Sequence, residues 1–246
     1  MKLYFAAAEN HLEMFEGMKI DNLLMSFPFI VKKKINVRKT WFIDSGAFSA
    51  YTRNIDINID EYIEFILMND LEQYASLDVI GNAEETFNNY LYMKKKKAVN
   101  QIPAFHYGED FKYLDIYLKE CESVAIGGVA QLKSDRLKLF SFLDSCFNEI
   151  SKHKNVKIHG YALNNWKILN RYPFYSVDAT SWLNPTIYGQ HFKYENGKLN
   201  RISHNQPFPN RFSDKDYRLK CSVIEFLKAE EYLTELWNKR GIAWNE

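Results

Sequence analysis

The chain repeats one short pattern, an apolar run that breaks off in a polar or glycine-containing cluster. Residues 42–48, FIDSGAF, show it most sharply. Trp41, Phe42 and Ile43 lead into Asp44, and Ser45 and Gly46 turn the chain where the run ends. A run bounded in this way reads as a buried strand emerging into a loop. The same pattern returns at residues 76–81 (SLDVIG), 104–110 (AFHYGED), 125–130 (AIGGVA) and 176–181 (SVDATS). Strands are expected at residues 3–8, 74–80, 102–107, 123–129, 156–161 and 174–178. Residues 21–30 are expected to hold a short helix followed by another apolar run.

Helical stripes separate these runs. Residues 59–71 place Ile59, Tyr62, Ile63, Ile66 and Leu67 on one face, with Asp60 and Glu61 in the first turn, where the helix dipole favours them. Residues 84–98 turn Phe87, Tyr90 and Leu91 inward, and residues 110–121 form a further helix. Ser134 is the expected N-cap of a helix over 135–152, with Leu139, Phe142, Leu143 and Phe147 as its inward stripe. A short helix is expected over 164–170. Strands separated by helices make a parallel sheet through right-handed crossovers.

At 246 residues, 46% hydrophobic and 16% aromatic, the chain suits one large domain with an ample core. The expectation is a single α/β domain, a (β/α)8 barrel with its core in residues 1–183. An open doubly wound sheet is the alternative, weakened because neither GxGxxG nor GxxxxGK[ST] occurs. The eighth strand is the element the sequence marks least. After Trp182 the pattern changes. Glu195-Asn196-Gly197 reads as a hairpin turn between HFKY and KLNRIS, and residues 214–240 as a terminal helix or helix pair, giving a C-terminal extension over 184–246.

A formal net charge of +1 neither demands nor excludes a polyanionic partner, so clustering matters more. Basic residues gather at Lys32, Lys33, Lys34, Arg38 and Lys39, and again at Lys94, Lys95, Lys96 and Lys97. Alone, these read as a solvated loop and a helix C-terminus; beside a nucleic-acid site they become candidates for backbone contact. Cys121, Cys146 and Cys221 are odd in number and far apart, which argues against a disulfide framework and against a cysteine zinc site. The apolar stretch in MKLYFAAAEN is too short for a signal peptide and nothing approaches a membrane span, so a soluble cytoplasmic protein is expected. No cofactor is called for, and a homodimer is left open.

Three aspartates, Asp44, Asp78 and Asp178, stand at expected strand ends, which converge on one mouth in a barrel. Carboxylates brought together push one pKa upward and leave another ionised, a division suited to a nucleophile and an acid/base at a glycosidic carbon. The plain alternative for each alone is a helix N-cap or a turn aspartate, which for Asp44 fits equally well; three in equivalent positions favour a site. His106 and His159 also end strands, and with the aspartates could hold a metal, although no HxH or HExxH spacing is present. Gly127-Gly128 serves either close packing or the approach of a backbone amide to a planar ligand. Tyr107, Tyr161 and Trp182 lie near the same mouth, as stacking surfaces for a base or as plain packing.

In this order the stretches resemble the tRNA-guanine transglycosylase superfamily, whose members exchange guanine in a nucleic acid for a 7-deazaguanine base on a (β/α)8 barrel. Asp44-Ser45-Gly46-Ala47-Phe48-Ser49 is similar to its DSGGFQ motif, and Ser76-Leu77-Asp78 to its base-gripping FDE-type strand end. His106-Tyr107-Gly108 resembles QGG, Gly127-Gly128-Val129-Ala130 resembles GGLA, and Asp178 in Val177-Asp178-Ala179-Thr180-Ser181 resembles the nucleophile. The correspondence spans about residues 42–182. It departs at Ala47, Ser49 and His106, and no cysteine lies between Cys146 and Cys221 to supply the family's zinc segment. The resemblance therefore implies a compact, zinc-free relative of the phage DNA-modifying kind, with DNA favoured over tRNA.

On that resemblance Asp178 is the nucleophile and Asp44 the general acid/base. Ser45, Gly46, Asp78, His106, Tyr107, Gly108, Gly127, Gly128, His159 and Tyr161 would surround the base, and Lys94–Lys97 would touch the backbone. A target nucleotide must leave its stack to reach such a mouth. A barrel hydrolase, glycosidic or metal-dependent, and a non-catalytic nucleic-acid-binding relative remain as alternatives.

Overall fold

A computed structural model describes residues 1–53, 55–132, 134–184, 188–195, 197–202 and 215–244. Its strands are β1 (Lys2–Ala6), β2 (Leu23–Ser26), β3 (Phe42–Asp44), β4 (Gln73–Ala75), β5 (Gln101–Ile102), β6 (Ala104–His106), β7 (Ser123–Gly127), β8 (Lys157–Gly160) and β9 (Ser176–Ala179), followed by a hairpin of β10 (His191–Glu195) and β11 (Lys198–Ile202). The first nine form one sheet in the order β5-β4-β3-β2-β1-β9-β8-β7-β6, and every pairing in it is parallel. Its two ends, β5 and β6, are separated in the chain by Pro103 alone. The sheet therefore curls round until its ends fall in one stretch of chain, a nearly closed barrel. Proline has no N–H to give a ladder, yet the Pro103 carbonyl still accepts from the Ala125 amide at 2.8 Å.

Alternation along the strands sorts side chains between two cores. Tyr4, Ala6, Leu24, Phe42, Ala75, Ile102, Ala104 and Ala125 fill the barrel interior, with Tyr161 packed against them. The intervening residues, among them Leu3, Phe5, Met25, Ile43, Phe105, Ile126, Ile158 and Val177, face the helices in the larger outer core. Four interior positions are alanines, which leaves room for the rings of Tyr4, Phe42, His159 and Tyr161, packed edge to face or tilted.

The helices begin where side chains cap them. Asn58 caps Ile59–Met68, Asn82 caps Ala83–Lys95, Asp110 caps Phe111–Glu120, Asp135 caps Arg136–Ile150 and Asn165 caps Trp166–Leu169, each accepting a backbone N–H of the first turn. The cap of the fourth is thus Asp135 and not Ser134. Leu67 and Leu91, expected inward, are exposed at 50% and 43%, while Tyr90 is buried. In residues 21–30 the order is the reverse of that expected. The strand comes first and a helix, Phe27–Lys33, follows with Pro28 in its first turn.

The C-terminal helix, Lys215–Lys239, lies over β1. The Glu230 carboxylate accepts from the Leu3 amide and from Asn22 Nδ2, and Phe226 packs on Phe5 and on Phe192 of the hairpin. Residue 214, the expected start of this helix, and Asn196 of the hairpin turn lie outside the described residues. Among the described residues no helix is long and apolar enough to cross a membrane.

Candidate active site

The period-two alternation of β3 puts Phe42 inside, Ile43 outside and Asp44 inside, at the C-terminal rim of the barrel. The Asp44 carboxylate turns back to accept the Gly46 N–H at 3.0 Å. Gly46 has φ +87°, and a Cβ there would stand 2.6 Å from Pro28 Cδ and 2.8 Å from Ser26 Oγ. Gly46→Ala should therefore cost about 2 kcal/mol or more from backbone strain and overlap together. Chemical denaturation measures this, and an unchanged midpoint would show that the turn tolerates a side chain.

Asp78 does not end a strand. β4 stops at Ala75, and Asp78 stands in the loop beyond it. It still reaches the rim, because Ser45 Oγ donates to its Oδ1 at 3.2 Å and His106 Nε2 lies 3.1 Å from its Oδ2. The other ring nitrogen of His106 is 3.0 Å from Glu109 Oε1, and Glu109 Oε2 accepts the His106 backbone N–H at 2.9 Å. Burial opposes the charge of this imidazole, but the bonds to Asp78 and Glu109 outweigh it and hold its pKa up at about 10. His106 is thus an imidazolium clamped between two carboxylates, with both ring nitrogens engaged. Sequence reasoning placed Glu109 only in a turn; its spacing of three from His106, across the positive-φ Gly108, was the available signal.

Gly127 and Gly128 make room for this clamp. A Cβ on Gly127 would stand 3.1 Å from His106 Cδ2, and one on Gly128 would stand 2.8 Å from both His106 Cβ and the Tyr107 amide nitrogen. Of the two uses open to these glycines, close packing is the one the free protein displays. Tyr107 packs edge to face on Phe142. Together with Gly108, Glu109, Phe111 and Lys138 it lines an open cavity of about 330 Å³ beside the rim.

Asp178 projects inward from β9, and its Oδ1 accepts the Ala162 N–H at 2.8 Å. Burial is the main cause that pushes Asp44 up to about 7, with the negative charges of Asp78 and Asp178 adding to it and the Gly46 N–H opposing. Asp44 nonetheless keeps some exposed surface. Tyr161 Oη is buried without a hydrogen-bond partner among the described residues. Burial, then the Asp44 and Asp78 charges, hold that phenol well above its ordinary pKa. His159 lies deeper, with Nδ1 2.9 Å from Ser176 Oγ and Nε2 3.5 Å from Asp178 Oδ1.

Trp182 and the lysine run Lys94–Lys97 sit elsewhere. Trp182 is not at the rim; it is fully buried, donates to the Ala6 carbonyl at 3.0 Å and packs on Phe5 and Phe15. Lys94–Lys97 close the helix Ala83–Lys95, which runs back to the start of β5. The run therefore lies at the far end of the barrel from Asp44, Asp78 and Asp178, with Lys94 on Glu120 at 2.8 Å and Lys96 near Asp60 at 3.6 Å. A second cavity, of about 540 Å³, opens at that far end and reaches in as far as Ser176 and His159.

The raised Asp44 pKa has a sign that can be measured. The folded state keeps this proton up to about pH 7, while the unfolded chain releases it near 3.8. Stability therefore falls as pH rises from about 4 to 7. Asp44→Asn should remove that fall and be more stable than the parent at pH 8 by about 2–4 kcal/mol. Denaturant midpoints at pH 5 and pH 8 test it; parallel shifts in the two proteins would refute the assignment.

No family model matches the chain. It is similar to "Uncharacterized protein 306" of Sulfolobus islandicus rod-shaped virus 1, with 22% identity over 189 residues that cover 70% of this chain and 60% of that protein. The chain thus spans about three-fifths of the length of this viral relative.

Proposed function

We propose that the protein is a base-exchange transglycosylase that replaces guanine in nucleic acid with a 7-deazaguanine base, on a (β/α)8 barrel in which β5 and β6 count as one strand broken at Pro103. The observation that carries this reading is the division of roles between two inward carboxylates. Asp44 is pushed up to about 7 and holds a proton for transfer, while Asp178 faces the same rim with Oδ1 fixed by the Ala162 N–H and Oδ2 left open for attack. Asp178 attacks C1′ of an unstacked guanosine or deoxyguanosine. The C1′–N9 bond breaks, N9 takes the Asp44 proton, and an aspartyl-glycosyl ester remains. The incoming base returns a proton to Asp44 and attacks C1′, releasing Asp178. Asp78, beside Ser45 and His106, is the acceptor for the donor edge of the purine.

DNA is the favoured polymer, since the zinc segment of the tRNA enzymes is missing, and a relative carried by a virus accords with that choice. The polymer is expected to approach the rim that bears Asp44 and Tyr107, away from the Lys94–Lys97 end. A metal site at this rim built on His106 is disfavoured, since both its nitrogens already lie against carboxylates. The test is nucleoside mass analysis after incubation with 7-deazaguanine bases and either DNA or tRNA. Incorporation into DNA is the expected result. Incorporation into neither polymer overturns the proposal.

A further inference from the structure

We infer that His159 is a positioning residue for Asp178, holding Oδ1 so that Oδ2 is the oxygen that attacks. This rests on the transglycosylase reading for its consequence, but its geometry stands apart from it. β8 and β9 are neighbours in which His159 pairs with Ser176. Alternation then stacks Asp178 above Ser176 on the inner face of β9, and Tyr161, the residue just past β8, above His159. The imidazole is caught between Tyr4, Phe42 and Tyr161, with ring centroids 6.1, 4.9 and 4.7 Å away. Its plane is therefore fixed by packing before any ligand arrives.

The two nitrogens are treated differently. Nδ1 has a partner, the Ser176 hydroxyl at 2.9 Å, at the inner end of the far cavity. Nε2 is buried and has no hydrogen bond among the described residues, although Asp178 Oδ1 stands 3.5 Å away. A buried polar atom left unpartnered is costly and calls for an explanation. A contact that is long in the free protein and closes when the ligand arrives supplies one, as catalytic hydrogen bonds commonly do. Oδ1 already accepts the Ala162 N–H. With Nε2–H as its second donor, Oδ1 is occupied on two sides and Oδ2 is left to the sugar carbon. His159 itself touches no substrate, for its side chain is only 2% exposed beneath the carboxylate.

The variants His159→Leu and His159→Gln separate positioning from packing. Leucine fills space without a donor, whereas the glutamine amide offers an N–H close to where Nε2 stands. Single-turnover formation of the glycosyl-enzyme, and kcat and KM for base exchange, are measured on the full chain. A crystal structure of each form with a guanine nucleoside bound accompanies them. The expected result is a kcat about 100-fold lower in His159→Leu with KM little changed, recovery to within about 10-fold of the parent in His159→Gln, and an Asp178 carboxylate turned away from Ala162 in the leucine form alone. Equal losses in both variants, or a loss confined to KM, overturn the inference, as does an Asp178 that stays in place in His159→Leu. If the parent exchanges no base while Asp178 still turns in the leucine variant, the transglycosylase reading fails and the positioning role of His159 stands.

Discussion

Asp178→Asn should lower base exchange by at least about 10⁴-fold and abolish the trapped covalent adduct. Removing a nucleophile typically costs this much, and only the binding and charge-stabilising parts of the site remain to accelerate the reaction. The variant is informative because it is nearly isosteric. An asparagine Oδ1 still accepts the Ala162 N–H, which in the parent is held at 2.8 Å. The fold and the unfolding midpoint should therefore stay close to those of the parent, and the loss belongs to chemistry. The measurement is denaturing gel analysis of protein mixed with guanine-containing DNA, alongside mass analysis of the nucleosides. An adduct that survives in the asparagine variant would remove Asp178 from the nucleophile role.

The second large effect is on stability. His106→Ala should destabilise the protein by about 3–5 kcal/mol near neutral pH, the cost of stranding buried charges whose partner is gone. The cation removed lies between Asp78 at 3.1 Å and Glu109 at 3.0 Å, and those side chains are only 13% and 10% exposed. The pH dependence fixes the cause. In the parent, the folded pKa of His106 is raised from 6.5 to about 10, so its contribution is fully present below pH 6.5 and is lost as pH rises through about 10. The deficit of the variant should therefore be full at pH 5, large at pH 7 and much smaller at pH 9.5, where the parent's imidazolium begins to lose its proton. Urea midpoints at pH 5, 7 and 9.5 test this. A deficit that is the same at every pH would point to lost packing and away from lost charge.

The barrel interior was legible because it obeys a period of two. From Phe42 the alternation carries inward to Asp44, from His159 to Tyr161 and from Ser176 to Asp178, which is why residues found in separate runs meet at one rim. Other misreadings have physical reasons. Residues 74–80 look like a long strand, yet Leu77 and Val79 leave the sheet to meet the helix Ala83–Lys95. There the Leu77 carbonyl accepts from Asn89, and Thr86 Oγ1 accepts the Val79 N–H. Their hydrophobicity records burial under a helix, which a strand and a packed loop share. Pro28 was the overlooked sign that a helix begins after Ser26, since proline suits a first turn. Trp182 follows a strand end and so reads as a rim residue. The single turn Ser181–Leu183 folds it back among Phe5 and Phe15 instead. Of the Glu109–His106–Asp78 clamp, the contact of Asp78 with His106 was not legible, because it depends on a loop residue arriving from beyond β4.

The break at Pro103 also bears on how the chain reaches its final form. β1 to β5 join in sequence order, as do β6 to β9, so each set grows by pairing strands that neighbour one another along the chain. The two sets are united by β1 against β9, where Lys2 meets Ser176, near opposite ends of the sheet's sequence. Long-range pairing of this kind is kinetically slow because loop closure precedes its reward. The rate-limiting event in folding should then be the zipping of β1 to β9, with the two arcs preassembled on either side. The rim carboxylates follow the same schedule: Asp44 belongs to the first arc and Asp178 to the last strand of the second, so they come together only when the ring shuts.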